Sequence, residues 1–314
     1  MIAVRVVRDR TSQLRTRLRR PTKRLGATHR ELDLQGSLAY IDEVYGDFLR
    51  YADIGTAQID GSRVLELGPG DNFGIPLRFL ADGATHVTTM DRFIAWRDEA
   101  QQARIYNAML ERMSTEQRER AALAITSRSP LRFDPKLLRV IEGVGAENAD
   151  RSLPPHSFDL IVSRAVLEHV WDLDAAFGAM DAVLAPGGVM AHKVDFRDHG
   201  LFTKGGHHPL TFLTIPDRVY GWMGDHSGLP NRRLIDYYRG KLAELGYDSR
   251  LHVTAVVGRG EELSPHPERV PESELQRIGP GIEQVRSKLR PRYRELPLSD
   301  IATAGIFLIA RKPH

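Results

Sequence analysis

Two groups of residues carry the chemistry available to this chain. The first lies in Val64-Leu65-Glu66-Leu67-Gly68-Pro69-Gly70-Asp71-Asn72-Phe73-Gly74. An apolar run there closes on an acid, three glycines follow, and a helical pattern begins at once. That order predicts a buried strand, a tight turn and a helix N-terminus, which is how open α/β folds hold nucleotide-like ligands. Its companion is His86-Val87-Thr88-Thr89-Met90-Asp91, a strand ending on an acid suited to ribose hydroxyls. The second group is Asp195, Asp198, His199, His207 and His208, crowded into fourteen residues directly after an apolar strand. Histidine is the side chain that titrates near neutral pH. Held by a carboxylate, it is a general base able to take a proton from a hydroxyl, an effect of about 10²–10⁴-fold on rate. His199 is the first candidate for that base, with Asp195 or Asp198 orienting it. His207 and His208 follow, farther from the strand.

The elements that must position these groups are legible in the periodicity. Leu34, Leu38, Ile41, Tyr45, Phe48 and Leu49 recur at helical spacing and predict a helical lead-in over 31–59. Strands are expected at 62–67 and 85–91, with a helix at 74–82 between them. Residues 94–125 read as one long polar helical segment, and 138–144 as a strand. Phe158-Asp159-Leu160-Ile161-Val162-Ser163 is an apolar run of the kind buried on both faces of a sheet. A helix at 172–184 stops at Pro186-Gly187-Gly188, and a strand runs from Val189 to Val194. The 196–235 segment breaks the rhythm. A helix at 232–245 then ends on Gly246, followed by strands at 250–257 and 301–310, with a loop and one helix between. Alternating strands and helices imply an α/β, doubly wound, parallel sheet.

Spacing decides between cofactor classes. A dinucleotide fingerprint needs a third glycine at position 73, where this chain has Phe73, and it has no acid two residues before its first glycine. The form E-x-G-x-G-x-x-x-G resembles the first motif of class I S-adenosylmethionine-dependent methyltransferases. Five stations follow that family's order over residues 60–195: Glu66-Leu67-Gly68-Pro69-Gly70, Asp91, Gly145-Ala146-Glu147, the strand at 158–163, and Leu184-Ala185-Pro186-Gly187-Gly188. The resemblance implies a Rossmann-like, mostly parallel seven-stranded sheet with a helical N-terminal lead-in and a cap-like insertion after strand five. It implies S-adenosyl-L-methionine as cofactor. Glu66, Gly68, Pro69 and Gly70 would line its methionine part, and Asp91, with Arg92 beside it, the ribose. Ala146 and Glu147 would lie by the adenine and Ser163 at the sulfonium end. Glu168-His169 resembles part of the E-x-x-E-H magnesium motif of some relatives. Its first acid belongs at position 165, where this chain has Ala165, so no metal site is assigned and Mg2+ is not expected.

The acceptor is read from 196–245. Phe212, Tyr220 and Trp222, with Asn231, Arg232 and Arg233, have the composition of a sugar-binding insertion, and the layout is similar to methyltransferases of glycans and glycoconjugates. The same aromatics suit a natural-product acceptor or a cap packing its own core. The leading expectation is an O-methyltransferase of a sugar or glycoconjugate hydroxyl. Methylation of another small metabolite at O, N or C is the alternative, and a non-catalytic cofactor-binding protein is more remote. Hydrophobic residues at 41% and charged residues at 27% are ordinary for a globular chain. The absence of cysteine excludes disulfides, thiolate zinc sites and cysteine nucleophiles, and fits a cytoplasmic enzyme. Residues 1–30 form a basic arm with ten Lys or Arg against Asp9, so of the overall +3 the remainder, 31–314, carries −6. That acidic body argues against a nucleic-acid partner, which would need a basic track at the site. The arm suits either anionic membrane contact or a solvated tail ordered against a second subunit of a homo-oligomer.

Overall fold

The computed structural model describes residues 26–224 and 228–314, so most of the basic arm of 1–30 lies outside the described residues. Among the described residues nine strands form, β1 (Arg63–Leu67), β2 (His86–Asp91), β3 (Ile125–Arg128), β4 (Leu131–Phe133), β5 (Leu138–Glu142), β6 (Phe158–Arg164), β7 (Leu184–Asp195), β8 (Asp248–Val256) and β9 (Thr303–Arg311). Seven of them make one mostly parallel sheet in the order β5-β2-β1-β6-β7-β9-β8, and β3 and β4 make a separate hairpin. This is the Rossmann-like arrangement the motif order implies. No helix of the described residues is long and apolar enough to cross a membrane. By internal packing the described chain divides into two units, one of 26–164, 174–191 and 312–314, the other of 165–173 and 192–311.

In the first unit β1 pairs in parallel with β2 and with β6, and β2 pairs with β5. The register sets Glu66 beside Thr89 and Val162, and Leu67 beside Met90 and Ser163. β1 and β6 are buried almost throughout, as their unbroken apolar runs require. The lead-in helix Leu34–Ala52 turns Leu38, Ile41, Val44, Tyr45 and Phe48 inward, and Tyr45 meets Phe79 of the helix Gly74–Ala81 edge to face at 4.9 Å. The long segment expected at 94–125 is two helices, Glu99–Glu111 and Thr115–Leu123. The break has a local cause: Ser114 caps the second helix, its Oγ accepting from Gln117 N while Gln117 Oε1 accepts from Ser114 N. β7 begins at Leu184, five residues earlier than expected. Gly187 takes φ 73° and its N–H donates to Lys312 O, so Pro-Gly-Gly lies inside the strand rather than before it.

In the second unit β8 and β9 pair antiparallel with register shifts near Ala255. Helix Ile235–Glu244 ends as predicted, with Gly246 at φ 72° and Tyr247 N donating to Leu242 O. Phe196 stacks on Tyr238 at 5.5 Å, and Trp171 on Tyr220 at 6.0 Å, which gives this unit an aromatic core. The loop expected at 259–299 holds helices Glu272–Arg286 and Pro291–Arg294.

Candidate active site

Glu66 is an acid set among buried apolar neighbours, 4% exposed, and its Oε2 has no hydrogen-bond partner. Burial, reinforced by Asp91 and opposed by Arg97, pushes its pKa up to about 8. A carboxyl so placed destabilises the strand that carries it. The turn after β1 explains the glycines. Gly68 and Gly70 adopt φ 68° and 65°, where a Cβ is strained. Gly70 also lies against the backbone of Gly26, on which a Cβ would come within 2.7 Å of Gly70 Cα. Asp71 holds this approaching segment, accepting from His29 N and Arg30 N at 3.2 and 2.9 Å.

Asp91 closes β2. One carboxylate oxygen accepts from Phe93 N at 2.7 Å, and burial raises the group to about pKa 6 despite the hydrogen bonds from Phe93 and Gly70 and the charge of Arg97. Arg97, which nothing in the sequence pattern singles out, ties the site together. It donates to Gly70 O at 2.7 Å and to Glu142 at 2.6 Å, and lies 4.3 Å over the Phe73 ring. Sequence reasoning also missed the girdle behind the turn, where Tyr106 Oη accepts from Phe73 N and Asn72 bonds both Gln102 and Gly74 N. Arg92 pairs with Glu147 at 3.5 Å, and Glu147 Oε2 is buried without a partner. Ala146 is buried in a short 3-10 turn after Gly145, and Ser163 is fully buried in β6 beside Leu67. The first unit therefore brings Glu66, Gly68, Pro69, Gly70, Asp91, Arg92, Ala146, Glu147 and Ser163 to strand ends and the turns that follow them.

These residues fit S-adenosylmethionine. Glu66 and Glu147 present buried acceptors that lack donors, and the cofactor carries an ammonium group and an adenine amine. The hydroxyl pair of its ribose matches an acid at the end of β2.

The second unit holds the histidine cluster, with a different membership from that expected. His199 lies 4.9 Å from His169, ring to ring and edge on, and donor atoms of Glu168, His169 and His199 lie within 4.8 Å of one another. His199 is exposed and sits at φ 51°. Glu168 is 1% exposed, with Oε1 accepting from Asp195 N and Oε2 unpartnered. Its pKa is driven well up by burial and by the adjacent Asp195. Burial, and then His199, push His169 down to about pKa 4, so its ring is neutral. Asp195 forms a two-oxygen ion pair with Arg197 and is held below the ordinary carboxylate range, because the bonds and charge of Arg197 and the charge of His199 outweigh its burial. Asn231 fixes the turn bearing Glu168 and His169. Its Nδ2 donates to Leu167 O and Val170 O, and its N–H to Glu168 O.

Four expectations need correction. Asp198 does not orient His199: its carboxylate accepts from Gly200 N, Phe202 N, Thr203 N and Thr203 Oγ1, which shape the loop. His207 packs edge on against Phe202 and His208 accepts from Leu210 N, so neither joins the His169–His199 pair. Phe212 and Tyr220 are not open platforms, at 1% and 0% exposure. Arg232 is likewise internal, donating to Phe212 O and Ile215 O, pairing with Asp217 and lying over Tyr220. Trp222 does remain open, at 58%.

Within this unit a cavity of about 480 Å³ is lined by Asp195, Arg197, His199 and Arg259, with Leu210 and Leu234 among its apolar wall. It accommodates one or two small rings with charged or polar groups on their rims.

A family model described as a methyltransferase domain matches residues 11–241. None of the curated proteins matches the chain. Among solved structures, an S-adenosylmethionine-dependent methyltransferase from Mesorhizobium loti is 17% identical, over 83% of this chain and 95% of that one, with a TM-score of 0.41. Phosphoethanolamine N-methyltransferase 2 of Haemonchus contortus, in complex with S-adenosyl-L-methionine, is 14% identical over 90% of this chain and 60% of that one, TM-score 0.41. A SAM-dependent methyltransferase from Archaeoglobus fulgidus is 12% identical over 87% and 94%, TM-score 0.40.

Proposed function

The chain belongs to the methyltransferase domain family, as a class I S-adenosylmethionine-dependent enzyme, and we propose that it methylates a hydroxyl of a small acceptor, a sugar or glycoconjugate terminus. The observation that carries the hydroxyl is the His169–His199 pair with Glu168 and Asp195, because an alcohol must lose a proton as it is methylated. The sugar is supported by the 480 Å³ cavity, whose rim of Asp195, Arg197, His199 and Arg259 offers donors and acceptors to ring hydroxyls while its aliphatic wall suits CH faces.

When bound, the cofactor supplies an electrophilic methyl group. Glu66, Gly68, Pro69 and Gly70 would hold its methionine part, Asp91 and Arg92 its ribose, Ala146 and Glu147 its adenine, and Ser163 would serve the sulfonium end. His199 takes the acceptor proton, with Asp195 supporting the imidazolium through its charge. Arg197 and Arg259 orient the acceptor. Holding the reactants in line accounts for about 7–11 kcal/mol of barrier in favourable cases. The 196–245 segment serves as the acceptor-binding insertion of a domain spanning 31–314.

The test is transfer of labelled methyl to a panel of monosaccharides, glycan fragments and small phenols and amines. Methylated sugar, with turnover reduced about 10²–10⁴-fold in His199→Ala and unchanged S-adenosylhomocysteine affinity, supports the reading. Transfer confined to amines, or a fully active His199→Ala, overturns it.

A further inference from the structure

The cluster of Glu168, His169 and His199 has a donor set that proton transfer alone does not require. Two imidazoles and one carboxylate present donor atoms within 4.8 Å of one another. Two of these groups carry a buried atom that lacks a partner: Glu168 Oε2 and His169 Nδ1 have no hydrogen-bond partner. The first belongs to a side chain only 1% exposed. A buried carboxyl oxygen with no partner is costly, and a cation offers it one. The surroundings have the form of an outer ligand shell. Glu168 Oε1 is held by Asp195 N, and Asn231 clamps the turn carrying both residues. His199 completes the set from the loop after β7, as an exposed side chain.

We propose that Glu168, His169 and His199 form a binding site for a divalent transition cation such as zinc, with at least one coordination position open. Imidazole with carboxylate favours Zn2+ and its neighbours over Mg2+, which demands oxygen ligands and retains its waters. Bonds of about 2.0–2.2 Å to each donor require the three atoms to draw together from their present spacing, the exposed His199 ring among them. Three protein ligands with an open position are the form of a catalytic rather than a structural zinc site. The motif reading missed it because the acid it requires is Ala165, and the third ligand comes instead from His199, thirty residues beyond His169.

The site rests on the methyltransferase reading only for its use. With a cation bound, His199 would serve as a ligand rather than as the base, and a hydroxyl at the open position would be acidified by the cation and release its proton to water. The experiment is therefore one of binding. Full-length protein, stripped with chelator, is titrated with Co2+ and followed by its visible d–d absorption, then by displacement with Zn2+. The expected result is one equivalent bound with a four- or five-coordinate spectrum. Affinity should fall at least about 100-fold in His199→Ala and in Glu168→Gln, more than outer-shell changes cause, and be unchanged in His207→Ala. Thermal melts check that Glu168→Gln folds, and the exposed His199→Ala stands as the independent variant. No saturable cobalt binding, or binding unaffected by His199→Ala, overturns the site. S-adenosylhomocysteine affinity, measured on the same stripped protein, separates that failure from failure of the methyltransferase reading.

Discussion

At the scale of single residues, Glu66 makes the strongest statement, because a strand position flanked by Leu65 and Leu67 gains nothing in stability from a carboxyl. Its pKa of about 8, against 4.5 for an ordinary glutamate, means that the folded chain holds a proton which the unfolded chain has released. Stability from this group is complete below pH 4.5 and is lost as pH rises towards 8. Asp91 acts in the same direction between 3.8 and about 6. His192, buried and lowered to about pKa 3, acts in the opposite sense: its contribution is complete above pH 6.5 and falls away as pH drops. Subtraction isolates the first term. The melting temperature of ligand-free protein should fall less between pH 5 and 8 in Glu66→Gln than in the parent. Equal slopes would show that Glu66 is not protonated in the fold. Arg97 belongs at this scale too. Arg97→Ala removes charge-assisted bonds to Gly70 O and Glu142, each of the class worth about 1.5–3 kcal/mol. Cofactor affinity should weaken by roughly ten- to a hundredfold, and calorimetry with S-adenosylhomocysteine checks it.

At the scale of elements, the turns after strands do the positioning, and they separate what was legible from what was not. The order and boundaries of β1, β2, β6 and β9 followed from apolar runs and glycines, since burial on both faces leaves a continuous signal. The helix at 94–125 was misread because its break depends on a Ser114–Gln117 capping pair inside an otherwise uniform polar segment. The hairpin β3–β4 escaped because its strands are short and only half-buried. Asp198 shows the limit of composition most clearly. An acid beside a histidine in sequence looks like an orienting partner, yet its oxygens organise backbone N–H groups of its own loop. Asp198→Ala leaves those donors unpaired, at about 1–3 kcal/mol each where buried. It should lower the melting temperature and displace His199, reducing turnover, while leaving S-adenosylhomocysteine affinity intact. Parent-like stability would show that the loop is held by other means.

At the scale of the whole molecule, cofactor class was readable and acceptor class far less so. Glu66, Gly68, Gly70 and Asp91 lie at strand ends and the turns after them, where backbone geometry constrains their spacing. The proposed acceptor residues are scattered over 165–311, and several that looked like sugar contacts proved internal: Phe212, Tyr220 and Arg232 pack the second unit instead. The partnership of His169 with His199 joins segments thirty residues apart, which no local pattern marks. The central claim is that the turns after β1 and β2 hold S-adenosylmethionine, and calorimetric titration of the full chain with S-adenosylhomocysteine tests it most directly. One equivalent should bind to the parent protein, and Asp91→Asn should bind at least about tenfold more weakly, through loss of hydrogen bonds to a charged group. No binding to the parent, or equal binding to Asp91→Asn, would contradict the account.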